Sequence, residues 1–186
     1  MITMKGNLIT LEPLVIEKHA EGYFELSQDE NIHKHMGTAV PQHIGQVREL
    51  LQKYESYFFN WMIISNETGA VIGILRLGKP GLENGMWVAG ESQILSSQYW
   101  RKGHMKEAKK LFYAYVFGEL SIDVLYADVW EGNINSIKSL EFYGYKLLKT
   151  KSEIFSKTGK PLKKYIYGLS KQDYDKPKES ERVDLR

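Results

Sequence analysis

Cysteine is absent from the 186 residues of the chain. Its absence excludes disulfide bonds, catalysis by a thiolate and zinc sites built on cysteine ligands. A lack of cysteine does not by itself identify a reducing compartment, so the location of the protein has to be argued from other features.

Long hydrophobic runs are also missing. The first fourteen residues mix Lys5, Asn7 and Glu12 with apolar side chains, unlike the continuous apolar segment of a secretory signal peptide. No later stretch approaches the length needed to span a membrane. The sequence therefore predicts a cytoplasmic protein without a membrane partner.

The chain has no large excess of one charge. It contains 25 Lys and Arg against 23 Asp and Glu, a formal net charge of +2. Nucleic-acid-binding domains usually have a pronounced basic excess, so a nucleic-acid partner is not expected, although residues 102–110 form a short basic run.

A metal site is not expected either. His33, His35 and His43 lie close together in sequence, but no carboxylate or cysteine completes a recognisable ligand spacing. We predict that these histidines are solvated loop residues, in a loop that borders the acceptor site.

The amino-acid composition is typical of a folded domain with a hydrophobic core. Hydrophobic residues make up 42% of the sequence, and 186 residues fit one domain. Beyond Asp173 the sequence is dominated by charged residues, Ser and Pro, with almost nothing to bury. We predict a single domain over residues 1–174 and a flexible polar tail over 175–186.

Hydrophobic periodicity indicates alternating helices and strands. The predicted strands lie near residues 8–14 and over 61–65, 71–77, 86–96, 124–130, 145–155 and 163–169, with 61–77 forming a hairpin. The predicted helices cover 17–29, start again at 44, run from 103 to about 120, and extend from the cap Asn133 to the stop Gly144.

The junction at Gly103 is the strongest candidate for an anion site. A strand enters a glycine loop and then an amphipathic helix, which offers free backbone N–H groups at the positive end of the helix dipole. Cations are concentrated in and near the first turns, where the dipole disfavours them: Arg101, Lys102, Lys106, Lys109 and Lys110. A bound polyphosphate would supply the missing negative charge, and a solvated basic face is the alternative. Neither a P-loop nor a dinucleotide fingerprint is present.

Two segments resemble the GCN5-related N-acetyltransferase (GNAT) superfamily. Residues 93–108 resemble its acetyl-CoA loop, and residues 99–108 are similar to the RimJ/RimL-type branch. The family loop has Gln or Arg, then Gly, then Gly or Ala, where this chain has Trp100, Gly103 and Met105. The later Asn133, Ser136 and Gly144 match the more specific family pattern of a capped helix ending at glycine.

The resemblance implies a fold and a cosubstrate. The fold is α+β, with a mixed, mostly antiparallel sheet of about seven strands, helices on both faces and splayed central strands. The cosubstrate is acetyl-CoA, with no metal. The residues that the resemblance assigns to its binding are Gln93, Ile94, Leu95, Trp100, Arg101, Lys102, Gly103, His104, Met105, Lys106, Asn133 and Ser136. The backbone of 93–95 would pair with the pantetheine arm, and the Leu95 N–H is the candidate oxyanion donor.

Two carboxylates are candidates for the general base that accepts the amine proton. Glu91 has the same strand alternation as Gln93 and Leu95, and Asp128 lies where some family members have a catalytic Glu. Glu91 is preferred, and both can instead be surface carboxylates of the sheet. The position at which many relatives have an acidic Tyr is Leu140. A protein acid is dispensable because a thiol is a good leaving group.

The resemblance predicts an N-acetyltransferase that modifies a primary amine of a small molecule or peptide. The alternative is a CoA-binding sensor or structural module with little turnover, which the departures at Met105 and Leu140 keep open. In this family the acceptor is selected mainly by the segment that corresponds to residues 29–46, which does not reveal its identity. A homodimer is also left open.

Overall fold

The computed structural model describes residues 1–36 and 39–176, except for the side chain of Tyr57. The predicted tail over 175–186 therefore lies almost entirely outside the described residues. Within the described ranges, no helix is long and apolar enough to cross a membrane.

Strands and helices alternate along the chain. The strands are β1 (Met4–Lys5), β2 (Ile9–Pro13), β3 (Phe58–Ser65), β4 (Val71–Gly78), β5 (Gly81–Glu83), β6 (Met86–Leu95), β7 (Val124–Trp130), β8 (Lys146–Phe155) and β9 (Lys160–Ser170). The helices are α1 (Ile16–Ser27), α2 (Glu30–His33), α3 (Ile44–Tyr57), α4 (His104–Ala114), α5 (Ile134–Phe142) and α6 (Lys171–Tyr174).

The described strands form one mixed sheet in the order β1-β2-β3-β4-β6-β7-β9-β8, with β5 paired to β6. Every pairing is antiparallel except that between β6 and β7. The predicted hairpin is confirmed as β3 and β4. The nine strands exceed the predicted seven because β1 and β5 contain only two and three residues, too few for a periodic pattern.

Helices cover both faces of the sheet, as predicted. On one face, α1 and α3 enclose a core that includes Leu51, Met62 and Ile74. On the other face, α4 and the polypeptide after it pack on a larger core around Trp61 and Phe112. Hydrophobic residues that alternate along β3 and β4 supply both cores, which explains why these central strands are apolar on both faces.

Most longer elements begin and end within a few residues of their predicted positions. The exceptions are short elements outside the predicted ones: β1, β5 in the expected loop 79–85, α2 between the two N-terminal helices, and α6 after β9. The helix after Gly103 reaches the predicted end near Leu120, but its last turn, Tyr115–Glu119, is a π-helix. That change in hydrogen bonding is not visible in hydrophobic spacing.

Candidate active site

An opening between β6 and β7 is the main irregularity of the sheet. The two parallel strands pair only from Val88 to Gly90 on β6, matched to Val124 to Tyr126 on β7. Beyond that point β6 stays paired with β4, up to Leu95 opposite Gly73. Residues 91–95 and 127–130 therefore border a gap in which backbone groups of β6 lack a neighbouring strand. This gap is the splay that the resemblance implied.

The hydrogen-bond pattern shows which amides of β6 face the gap. Ser96 N–H donates to Ile72 O at 2.8 Å, towards β4, whereas Trp87 O accepts from Asp123 N–H at 2.7 Å, towards β7. Because successive residues of a strand direct their amides to opposite sides, those of Gln93 and Leu95 point into the gap and that of Ile94 points to β4. Of the three residues expected to bind pantetheine, only two present free amides there.

Two neighbouring cavities extend the gap, the smaller between α5 and residues 31–36 and the larger between α4 and α5. Their volumes are about 250 and 330 Å³, and both are lined by Gln93, Leu95, Trp100, Asn135 and Ser136. The Gln93 Oε1 atom is buried and has no hydrogen-bond partner among the described residues. A ligand with a hydrogen-bond donor would complete this site.

The loop from β6 to α4 forms one wall of the cavities. The exposed Trp100 donates its indole N–H to Leu95 O at 2.8 Å, so the ring covers the end of the gap. Arg101 and Met105 line the larger cavity. His104 has a different position: it is buried with its ring against Tyr99, 5.0 Å between centroids. Its backbone can face a ligand, but its side chain is part of the packing.

The first turn of α4 has the geometry of an anion site. Gly103 is the N-cap with φ of +87°, a conformation that a side chain would strain. The first intrahelical bond of α4 runs from Glu107 N–H to Gly103 O, 3.0 Å, which leaves the amides of residues 104–106 unpaired in the helix. The side chains of Lys102 and Lys106 are exposed beside it.

Lys109 does not belong to this cationic surface, contrary to the sequence-based prediction. Its side chain is 0% exposed and its Nζ lies 3.1 Å from Glu91 Oε1. The ammonium also lies 4.7 Å from the ring centroid of Tyr143. The next residue, Lys110, is exposed. The two side chains point in different directions because successive residues of an α-helix are rotated by 100°.

Asn133 and Ser136 form the opposite wall of the cavities. The Asn133 side chain accepts a hydrogen bond from Ser136 N–H at 3.3 Å and caps α5, which confirms the predicted cap. Gly144, with φ of +90°, follows the helix as predicted. Both Asn133 and Ser136 line the smaller cavity, so the cap also shapes the candidate site.

Glu91 is buried beneath the gap. Only 3% of its side chain is exposed, and Oε1 accepts hydrogen bonds from Lys109 and from Tyr113 OH, both at 3.1 Å. The second carboxylate oxygen, Oε2, has no partner among the described residues. Burial lowers the pKa of Lys109, and the attraction of Glu91 only partly offsets this. Burial and the charge of Glu91 raise the pKa of Tyr113.

Asp128 lies on the other face of the sheet. It lines a third cavity of about 460 Å³, which opens on the side of α1 and α3. Half of its side chain is exposed, and Oδ2 lies 2.5 Å from Lys164 Nζ. Burial lowers the pKa of Lys164, but Asp128 and Glu153 outweigh that effect and raise it. Both candidate bases thus have a lysine partner, on opposite faces of the gap.

Of the three histidines predicted to be solvated, His33 and His35 are not exposed, and His43 is. His33 is buried at the end of α2, and its Nε2 lies 2.7 Å from Ser27 O. His35 is half-buried and borders the gap, while His43 is exposed at the start of α3. Residues 1–36 and 39–176 contain no cluster of three or more metal-ligating side chains.

The carboxylate of Asp29 holds α2 next to the gap by hydrogen bonds. Its carboxylate accepts hydrogen bonds from Asn31 N–H at 3.0 Å and from Ser97 N–H at 2.6 Å. Burial raises the pKa of Asp29, but these hydrogen bonds outweigh it and hold the pKa below the ordinary value. Such a carboxyl stabilises the fold above its unfolded pKa, and the stabilisation is lost as pH falls towards the lower folded pKa.

We therefore expect Asp29→Asn to lower the free energy of unfolding at neutral pH. The difference from wild type should stay constant down to about pH 5 and shrink below about pH 4, where the unfolded carboxyl becomes protonated. Urea unfolding across this range, from neutral to acid pH, measures the difference. A difference that grows towards acid pH would contradict the assigned hydrogen bonds.

Comparisons with known proteins give a consistent picture. A family model described as "Acetyltransferase (GNAT) domain" matches residues 9–146. A GCN5-related N-acetyltransferase from Brucella melitensis is 20% identical, with a TM-score of 0.82 over 93% of this chain and 80% of that one.

Two further solved structures share the fold. An acetyltransferase of the GNAT family from Bacillus anthracis is 16% identical, with a TM-score of 0.77 over 92% of this chain and 99% of that one. A ribosomal-protein-S5-alanine acetyltransferase from Vibrio fischeri is 14% identical, with a TM-score of 0.71 over 95% of this chain and 100% of that one. No curated protein matches the chain.

Proposed function

Because the chain belongs to the GNAT acetyltransferase family, we propose that it is an N-acetyltransferase that transfers the acetyl group of acetyl-CoA to a primary amine. The observation that supports this most directly is the gap between β6 and β7, which meets cavities on both faces of the sheet. One ligand can enter from each face, and the two can meet at the gap.

We assign acetyl-CoA to the α4 and α5 side of the gap, beside the cavity of about 330 Å³. The free amides of residues 104–106, with Lys102 and Lys106 beside them, suit the pyrophosphate. The free amides of Gln93 and Leu95 suit an extended pantetheine arm that adds to the sheet edge. In this arrangement the Leu95 N–H stabilises the oxyanion that forms on the thioester carbonyl.

We propose Asp128, rather than the Glu91 preferred from the sequence, as the base. Both carboxylates line the cavity of about 460 Å³, but Asp128 is half-exposed, whereas Glu91 is buried and held by Lys109 and Tyr113. The neutral amine attacks the thioester carbon, the C–N bond forms, the C–S bond breaks, and the amine proton moves to the carboxylate. The CoA thiolate leaves without a protein acid, since Leu140 is apolar and buried.

A CoA-binding module with little turnover is the second candidate. The observations that favour it are the apolar Leu140 and the side chain of Met105, which lines the cofactor cavity where the family usually has Gly or Ala. Release of free thiol from acetyl-CoA in the presence of an amine panel distinguishes the two, because a sensor binds acetyl-CoA without such release. The RimJ/RimL-type affiliation, cytoplasmic location and homodimer stay predictions.

Acetyl-CoA is expected to stabilise the protein by mass action, by about 2.7 kcal/mol at a concentration about 100-fold above its Kd. Lys106→Glu should weaken binding, and more so at low salt, because it reverses a charge beside the proposed pyrophosphate site. Lys53→Glu, an exposed lysine on α3, serves as the matched control. Thermal unfolding with and without acetyl-CoA measures both effects. No stabilisation at millimolar acetyl-CoA, or equal effects of the two variants, would place the phosphates elsewhere.

A further inference from the structure

Arg76 is the one polar side chain in the otherwise apolar strand β4. It is half-buried and lines the cavity of about 460 Å³ that also contains Asp128. Its register places it opposite Ser92 on β6. Ser92 lies two positions beyond Gly90, the last residue of β6 that pairs with β7. The equivalent position on β7, two residues beyond its paired Tyr126, is Asp128. Arg76 and Asp128 therefore lie on the same face, on either side of the gap.

Aromatic rings fix the position of the guanidinium. Its central carbon lies 4.2 Å from the ring centroid of Tyr54 and 5.6 Å from that of Phe58. Stacking of this kind orients an arginine while leaving its N–H groups free for a planar anion. The side chain is thus held in place before any ligand binds.

The guanidinium has no anionic partner among the described residues. In the described part of the chain, no carboxylate lies within ion-pair distance of Arg76, and its buried Nε has no hydrogen-bond acceptor. The other cations of the cavity are paired: Lys164 with Asp128 at 2.5 Å, and Lys151 with Glu153 at 3.9 Å. Since Glu91 is neutralised by Lys109 on the other face, Arg76 is the cation of this cavity whose charge is left uncompensated by the described residues.

We propose that the acceptor amine has an anionic group, a carboxylate or a phosphate, and that Arg76 binds it. This rests on the proposed acetyltransferase function and defines the acceptor class for the same site. The anion pairs with the guanidinium at the β4 side of the gap, while the amine lies at the β7 side beside Asp128. Because β6 lies between β4 and β7 and adjacent strands are about 4.8 Å apart, the strands that hold the two subsites are about two strand spacings apart, and the acceptor has its amine and its anion on a spacer.

The test compares acceptors that differ only in the anion. We would measure kcat/KM for 4-aminobutyrate and 6-aminohexanoate against their amides, and for O-phosphoethanolamine against ethanolamine. The carboxylate and phosphate arms identify which anion is preferred. Wild type should favour the anionic member of at least one pair by about ten- to a hundredfold, the effect of a charge-assisted bidentate contact. Arg76→Gln should abolish that preference, and Arg76→Lys should retain part of it.

Arg48→Gln on α3, outside the cavity, is the matched control and should keep the wild-type preference. The wild-type comparison does not depend on how well the Arg76 variants fold, and within each variant the preference is a ratio measured on the same protein. Acetylation of the neutral amines alone, or equal loss on both members of each pair in Arg76→Gln, would overturn the anionic acceptor while leaving the acetyltransferase intact. Acetyl-CoA binding without transfer to any amine would overturn the proposed function itself.

Discussion

Asp128→Asn is expected to lower kcat by about 10²- to 10⁴-fold, the range for loss of a general base. Asparagine preserves the size of the side chain and can still contact Lys164, but it cannot accept the proton of the amine. Binding of acetyl-CoA should be unchanged, because the proposed cofactor groups lie on the opposite face of the sheet. Stopped assays of acetyl transfer and thermal shifts with acetyl-CoA measure the two quantities separately.

A Lys164→Gln variant distinguishes a base from a residue that only positions Lys164. If Asp128 accepts the amine proton, Lys164→Gln should keep most of the activity that Asp128→Asn loses, because the carboxylate is still present. Equal losses of kcat in the two variants would instead assign Asp128 a positioning role. Lys164, whose pKa is raised, stays protonated and cannot itself accept the proton.

Glu91→Gln is the comparison that can reverse this assignment. We expect it to reduce activity mainly through the folded fraction, because Glu91 is buried with Lys109. Activity should therefore be measured well below the unfolding temperature and divided by the folded fraction. If Glu91→Gln then still lowers kcat by about 10²- to 10⁴-fold while Asp128→Asn does not, Glu91 is the base.

The sequence predicted the elements that have a long hydrophobic period or a cap. Val124–Trp130, the start of the helix at Ile44 and the Asn133 cap agree with the structure because each depends on local chemistry. The short β5 and α2 were missed because three or four residues are too few to show a period. They are formed through contacts outside their own segments, such as the pairing of Gly81 with Val88.

The two sides of the site differed in how far they could be predicted. The proposed cofactor side is formed by two short stretches of consecutive residues, 93–106 and 133–136, so linear motifs describe it. The proposed acceptor side joins β4, β6, β7, β8 and β9, and no linear motif covers these strands. Arg76 did leave a signal, a single charge within the apolar strand Val71–Gly78. Whether Arg76 has an ion-pair partner, however, depends on tertiary contacts.

The roles of Glu91 and Lys109 also required the structure. Alternation along β6 placed Glu91 on the same face as Gln93, but did not reveal its partner, since the two residues come from different elements. In sequence Lys109 lies three and four residues before Phe112 and Tyr113, a spacing that places it on the apolar face of α4, unlike the exposed Lys106 and Lys110. The fold places Lys109 next to the buried carboxylate of Glu91. Lys109 is therefore part of a structural ion pair, whereas Lys106 and Lys110 are surface charges.

Lys109→Met is expected to lower the free energy of unfolding by about 3–5 kcal/mol, the usual effect of removing one partner of a buried ion pair. Methionine fills much of the same volume, so the main cost is the uncompensated carboxylate of Glu91 in a site only 3% exposed. For a chain of this size each kcal/mol shifts Tm by about 2–4 °C. The expected fall in Tm is therefore roughly 6–20 °C, measurable by calorimetry or circular dichroism.

Two matched variants isolate the ion pair from the loss of a lysine as such. Lys110→Met removes the neighbouring exposed lysine on the same helix and should change stability by less than about 0.5 kcal/mol. Lys109→Met combined with Glu91→Gln should recover much of the loss, because no unpaired charge is then buried and the introduced glutamine can still contact Tyr113. If the double variant is as unstable as the sum of the two single variants, the residues are not coupled, and Lys109 stabilises the core through its contacts with the rings of Tyr113, Tyr143 and Tyr145.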